Sequence, residues 1–322
     1  MNTGNAIMLG SRTPTSSTEH SVEDLKVSSE DFSPFGKESL HMRQPVSNSW
    51  IWMCVLGLGT LAQSAQAGLV ARYEFDGTVQ DLSGNGHNAQ LFGGATYVPG
   101  PSGSAIHFQN PVGNVLATQY VLLPNDPQIA NLGNRTGTPG SGSFTVFMMV
   151  KSTDGGPGHN NGRLFGVLNT GGSGLIINYN EASSPGNSSS AYLYSNPGGS
   201  IGTNVHDPAA YITDGVWHCV ALSVNRLTEE AKYYVDNELI QTLSLVGKGD
   251  YKLSNFTLGR NNGGNGNPTW THFGARNTAV DDLRLYDTAL TAEEIATICP
   301  EPSSFVLAAA GLVGCWMLRR RA

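Results

Sequence analysis

The feature that most limits what this chain can become is an alternation of apolar and polar side chains, cut at short intervals by Gly, Asn, Pro and Ser. Leu69, Ala71, Tyr73 and Phe75 alternate with Val70, Arg72 and Glu74, and Val216 to Val224 and Val280 to Tyr286 repeat the pattern. Phe144 to Val150 is an apolar run interrupted only by Thr145. A period of two places successive side chains on opposite faces of a strand. Breaks every 8 to 12 residues or so are the spacing of an all-β sandwich. Composition excludes the alternatives: with 40 Gly, 16 Pro and 13% charged residues, against about 25% charged in an average protein, a helical bundle or coiled coil is ruled out. At 39% apolar residues the chain is too hydrophobic to be disordered throughout. The expected fold is therefore all-β, two antiparallel sheets packed face to face. Tyr233 to Ile240 reads as a hairpin turning at Asp236-Asn237, residues that tolerate the left-handed conformation of a two-residue loop. One helix is predicted after Thr291, which can cap it while Glu294 reaches back. The Gly- and Asn-rich stretches 153–163 and 261–269 read as loops.

Both ends read as addresses. Residues 1–41 are rich in Ser, Thr and Glu without apolar periodicity, which predicts an unordered extension. Residues 42–67 bring a basic Met42-Arg43, the apolar run Ile51 to Leu58 and Ala65-Gln66-Ala67 before Gly68. Basic head, short apolar stretch and A-x-A site predict a secretory signal helix cut by signal peptidase after Ala67. Met42 then becomes an expected start of translation. In residues 300–322, Pro300-Glu301-Pro302 precedes the apolar run Ser303 to Leu318 and Arg319-Arg320-Arg321. A helix over those sixteen residues reaches roughly 24 Å at about 1.5 Å rise, a short transmembrane span beside a core about 30 Å thick. The arginines would hold its end on the cytoplasmic side. Motif, span and basic cluster in this order closely resemble the PEP-CTERM sorting signal of Gram-negative bacteria. That resemblance implies recognition by an exosortase, a transient membrane anchor, and delivery to the cell surface or extracellular matrix.

Between the addresses, residues 68–299, short motifs follow one another in a telling order. Gly68-Leu69-Val70-Ala71-Arg72-Tyr73-Glu74-Phe75-Asp76-Gly77 leads to Asp81-Leu82-Ser83-Gly84-Asn85-Gly86 and Ala105-Ile106-His107-Phe108. Asp214-Gly215-Val216-Trp217-His218, Leu258-Gly259-Arg260 and Asp281-Asp282-Leu283-Arg284-Leu285-Tyr286-Asp287 come later. The series resembles a LamG-like domain of the concanavalin A-like lectin and glucanase superfamily. The resemblance implies a jelly roll with its first and last segments side by side. Met149, Cys219 and Asn237 depart from the family's usual Trp, His and Gly.

Chemistry narrows the function. A formal net charge of −7 offers no basic stripe for a phosphate backbone, which excludes nucleic acid as a partner. Glycan-cleaving relatives carry carboxylates at alternate strand positions, at the separation cleavage requires. No Glu-x-Asp-x-x-Glu segment occurs here, nor a G-x-S-x-G elbow, an H-E-x-x-H helix or a phosphate loop. The expectation is a non-catalytic module. Asp76, Asp81 and Asn85 offer oxygens of the kind calcium takes. Asp281 shares the Leu283 and Leu285 face if alternation holds, so its carboxylate points inward and needs a partner. The resemblance places Asp76, Asp81 and Asp281 near a structural Ca²⁺. The residues leave a second reading open, in which Asp76 and Asp81 cap turns and Asp281 pairs with Arg72 or a backbone N–H. Cys219 and Cys299 could bridge on export, but the strand position of the first and the terminal position of the second weigh against it. For carbohydrate, aromatic faces that stack on sugar rings are the candidates: Trp270 with His272 after a Gly- and Asn-rich loop, and Tyr192 and Tyr194 along a short strand. Trp217 reads as core. The expected function is recognition of polysaccharide or a matrix partner at the cell surface. The alternatives are a structural matrix component without a defined ligand, or a glycosidase.

Overall fold

The alternating segments fold into strands of two sheets packed face to face. The computed structural model describes residues 68–111, 116–138, 140–154, 162–169, 173–179, 188–195, 197–203, 207–263 and 274–299. The first sheet comprises β1 (Leu69–Tyr73), β3 (Thr96–Pro99), β4 (Ser104–Phe108), β6 (Phe144–Ser152), β11 (Trp217–Asn225), β12 (Glu230–Val235), β13 (Glu238–Ser244) and β16 (Thr278–Tyr286). Its order is β13-β12-β11-β6-β16-β4-β3, with β1 also alongside β16. The second sheet contains β2 (Gln90–Phe92), β5 (Tyr120–Leu122), β7 (Gly162–Asn169), β8 (Ser173–Tyr179), β9 (Ser189–Ser195), β10 (Gly199–Gly202), β14 (Thr257–Leu258) and β15 (Asn262–Gly263). Its order is β10-β9-β8-β7-β14-β5-β2. All ladders are antiparallel except β15, which runs parallel to β7, so a short pairing begins where a loop was expected.

Val146, Met148, Val150, Val220 and Leu222 from the first sheet meet Leu175, Ile177, Leu193 and Leu258 from the second in one buried core. A second apolar cluster covers the outer face of the first sheet. There Phe147, Met149, Cys219, Ala221, Tyr234 and Tyr286 pack under Ile295 and Ile298 of helix α2 (Ala292–Ile298), the second helix after the single turn α1 (Pro127–Ala130). Burial on both faces explains why Phe144 to Val150 is apolar without alternation. The helix starts as expected, since Thr291 accepts from the Glu294 N–H and the Glu294 side chain returns to the Thr291 N–H. The β12–β13 hairpin turns at Asp236 (φ 50°) and Asn237 (φ 66°), both left-handed as a type I′ turn requires.

Two readings need correction. Cys219 and Cys299 are joined in a disulfide, Cα atoms 5.8 Å apart. Cys219 lies in a strand but on its outer face, and α2 folds back over that face, which is how the end of the domain reaches it. The alternation around Asp281 also fails. Asp281 pairs with Met149 and Arg284 with Phe147, so β16 carries a bulge between them, with Asp282 at φ 45°. The inserted residue shifts the register: Val280, Leu283 and Leu285 face the core, while Asp281 lies on the opposite, outer face with its pairing partner Met149.

Candidate functional site

The bulge marks a seam. Along one side of β16, residues Thr278–Val280 pair with β4 and residues Leu283–Tyr286 with β1. Asp281 and Asp282 occupy the junction, where β1 ends and the chain turns through Phe75 (φ 52°). A cavity of about 380 Å³ opens there, lined by Arg72, Glu74, Met149, Asp281, Asp282 and Arg284 among others. Asp281 is only 3% exposed, and its carboxylate accepts from the Asp282 N–H at 2.7 Å. Burial pushes its pKa up to about 7, with the charges of Asp282, Asp76 and Glu74 adding to the rise. Asp76 accepts from the Ser104 N–H at 2.6 Å. The β3–β4 turn reaches both acids: a Cβ at Gly100 would fall 2.7 Å from an Asp281 oxygen, and one at Gly103 would collide with Asp76.

Arg72 bonds Asp282 at 3.3 Å and pairs with Glu74, and Arg284 also holds Asp282. Asp281 thus lacks the arginine partner considered for it and takes a backbone N–H. Asp81 and Asn85 are occupied differently. The Asp81 carboxylate accepts from the N–H groups of Arg72, Ser83 and His87 and from the Ser83 hydroxyl. Burial alone would raise its pKa, but these donors hold it below the ordinary range. The Asn85 amide donates to the carbonyls of Leu69 and Val70. Both fasten the turn after β1. Glu74 and Asp281 line the seam and Asp76 lies near enough to add its charge to theirs, but the three do not form a close group of ligand atoms. Sequence reading missed Glu74 and Asp282, because nothing in the alternation announces a bulge.

The outer face of the second sheet gathers aromatic rings. Tyr192 and Tyr194 alternate with the core residues Ala191 and Leu193, and their rings lie 6.3 Å apart. Gly202 pairs with Tyr192, and a Cβ there would fall 2.2 Å from the ring, so the ring rests on the β10 backbone. Across the sheet Tyr192 registers with Ile176, Gly166, Thr257, Leu122 and Gln90 in turn. At the far side Phe92 stacks on Tyr120 at 4.7 Å and 7°, and the Arg260 guanidinium lies 3.4 Å from the Tyr120 ring centre. Two aromatic pairs thus stand at either side of one row on the outer face, of which Ile176, Gly166 and Thr257 are buried and Leu122 is half-buried. Phe92 and Tyr120 escaped the sequence reading because three-residue strands give too few positions to show a period.

Trp217, read as core, is half-buried on the outer face of the first sheet. Trp270, His272, Ala65, Ala67 and Pro300-Glu301-Pro302 lie outside the described residues, as do the expected signal helix and transmembrane helix. Among the described residues no helix is long and apolar enough to cross a membrane. The close group Cys219, Asp236 and Cys299 contains the disulfide, so its sulfurs are not thiolate ligands.

Comparison with known proteins places these features. Residues 117–296 match the model of the family described as the concanavalin A-like lectin/glucanases superfamily. Residues 299–321 match the PEP-CTERM protein-sorting motif, a signal of export and surface association in Gram-negative bacteria. No curated protein matches the chain in sequence. Similar solved structures include the binding domain of Botulinum Neurotoxin DC in complex with SialylT, at 14% identity and TM-score 0.51, covering 73% of this chain and 52% of that one. The Botulinum neurotoxin serotype G binding domain is 12% identical, with TM-score 0.52 over 71% of this chain and 50% of that one. The chain therefore spans about half the length of these toxin domains. Domain 4 of AbnA, a GH43 extracellular arabinanase from Geobacillus stearothermophilus, in complex with arabinotriose, is 19% identical with TM-score 0.50, over 73% of this chain and 99% of that one.

Proposed function

The chain belongs to the concanavalin A-like lectin/glucanase superfamily, and on that footing we propose that it is an exported, non-catalytic module that binds polysaccharide at the cell surface. The observation that carries the proposal is the outer face of the second sheet, which bears the half-buried aromatic pairs Tyr192–Tyr194 and Phe92–Tyr120. The rings are half-buried, and sugars would meet the parts of them left open, with Arg260 supplying hydrogen-bond donors beside Tyr120. The arabinotriose complex of AbnA domain 4 supports carbohydrate as the ligand class. Trp270 and His272, outside the described residues, remain proposed sugar contacts. Exosortase and signal peptidase are the proposed processing enzymes, and the C-terminal span the proposed transient anchor.

The test is a glycan array probed with the exported protein, arabinotriose included. Tyr192→Ala and Tyr120→Ala are expected to weaken binding about tenfold or more, a loss of about 1.4 kcal/mol each. Array binding unchanged in both variants, or no binding to any glycan by the parent, would refute the reading and favour a structural matrix component.

A structural Ca²⁺ is proposed at the seam. Asp76 and Asp281, with Glu74 beside them, would have to draw closer than they stand to hold it; Asp81 and Asn85 would act by fixing the turn. Carboxylates are the hard oxygen donors this ion takes; burial first, and then the charges of Asp282, Asp76 and Glu74, raise the Asp281 pKa, and a dication would offset that repulsion. Bound there, the ion would tie β1 to β16. Titration of the chelated protein should show heat with calcium and a higher Tm, both lost in Asp281→Asn.

A further inference from the structure

The outer face of the first sheet carries a groove that α2 leaves open. One row of the sheet runs His107 on β4, Ala279 on β16, Lys151 on β6 and Trp217 on β11, each registered with the next. The neighbouring row, Asp281, Met149 and Cys219, lies at the cluster under α2 and the disulfide. Beyond it the small Ala279 lets the surface sink between larger side chains. The result is a groove of about 370 Å³ lined also by Val98, Pro99, Thr153 and Asn277, at the lower end of the range of about 300–1,000 Å³ for small-ligand sites.

We infer that this groove is a second carbohydrate site, distinct from the aromatic face of the second sheet, and that it takes a sugar bearing a carboxylate, as in uronic-acid polysaccharides. Trp217 is half-buried, anchored on one side by the cluster beneath α2, and a fixed indole is the preferred platform for a pyranose face because little rotamer entropy is lost on contact. Lys151, its register partner, is exposed. Among the described residues it has no carboxylate partner, in a chain whose net charge is −7. An ammonium beside an indole matches a ring with one apolar face and an anionic substituent. Thr153 and Asn277, bonded to each other at one end, and His107 add polar groups for hydroxyls.

The position of the row separates this ligand from an acidic peptide. β4, β16, β6 and β11 each have a neighbour on both sides in the sheet, so their backbone groups are used in the ladders. An extended peptide could not add itself as a strand there, whereas a sugar needs only side chains.

The experiment is isothermal titration of the exported protein with oligomers of galacturonate, mannuronate/guluronate and glucuronate-containing hyaluronan. The fully methyl-esterified galacturonate oligomer is the control that keeps the ring and hides the charge. Binding of at least one acidic oligomer is expected, weakened about tenfold by esterification and by Lys151→Gln, and retained in Lys151→Arg. Lys151 is exposed, so the glutamine variant keeps the fold; Trp217→Phe tests the platform while preserving an aromatic contact. Tyr192→Ala should leave this binding unchanged, which distinguishes the groove from the site proposed above. No binding to any of the three acids, equal binding of the ester, equal binding by Lys151→Gln, or loss in Tyr192→Ala would each overturn the inference.

Discussion

His218 and Asp281 give the domain a pH response that reaches toward neutrality. His218 lies between Asp236, 2.7 Å from Nδ1, and Asp214, 2.9 Å from Nε2. Burial opposes its charge, but the two carboxylates prevail and its pKa is raised. Its contribution to stability is therefore complete below an ordinary histidine pKa of about 6.5 and disappears as pH climbs through the raised value. NMR titration of His218 should show a pKa above that of a free histidine, falling in Asp236→Asn and in Asp214→Asn; an unshifted or lowered value in the parent protein contradicts the geometry. Asp281 acts in a different window. With a folded pKa of about 7 against the ordinary 3.8, its cost grows as pH rises from about 4 to 7. Chelated protein should lose Tm over that interval, at about 2–4 °C per kcal/mol for a domain of this size, and Asp281→Asn should flatten the slope. A chelated Tm that is flat or rising across it would show that Asp281 ionises normally.

At the level of elements, α2 and its disulfide seal the first sheet. The bridge spans 80 residues of sequence, and closing a loop of that size restricts the unfolded chain, an effect of typically about 2–4 kcal/mol. Cys299→Ser should lower stability by that order in urea denaturation, and Ile295→Ala, which empties a fully buried position, by about 2–5 kcal/mol. Neither loss should abolish the sandwich, whose main core lies on the other side of the sheet. An unchanged midpoint in Cys299→Ser would mean that the bridge constrains nothing. What the sequence discloses about these elements depends on how local their causes are. The Asp236-Asn237 turn and the Thr291 capping box are settled within a few residues, and both are legible. The bulge at Asp282, the Cys219–Cys299 pairing and the stacked Phe92 and Tyr120 depend on what lies across a sheet. Alternation along one strand carries no information about them. For the same reason Asp81 and Asn85 read as calcium donors from their spacing, although their hydrogen bonds hold a turn.

On the scale of the whole molecule, the sandwich presents both outer faces differently. The first is partly sealed by a helix, and the groove beside Lys151 is left open; the second bears two aromatic pairs. The PEP-CTERM motif marks the chain for export and surface association, where, on the proposed reading, a scaffold with side chains fixed on strands would recognise a repeating polymer without reorganising. Recognition without turnover is the central claim. Saturation-transfer NMR on an oligosaccharide selected by the array tests it most directly, because one spectrum reports both contact and chemical integrity. The account predicts saturation of sugar ring protons, diminished in Tyr192→Ala and Tyr120→Ala, with an oligosaccharide spectrum unchanged over hours. Growth of new reducing-end signals, abolished by replacing a single carboxylate, would contradict it.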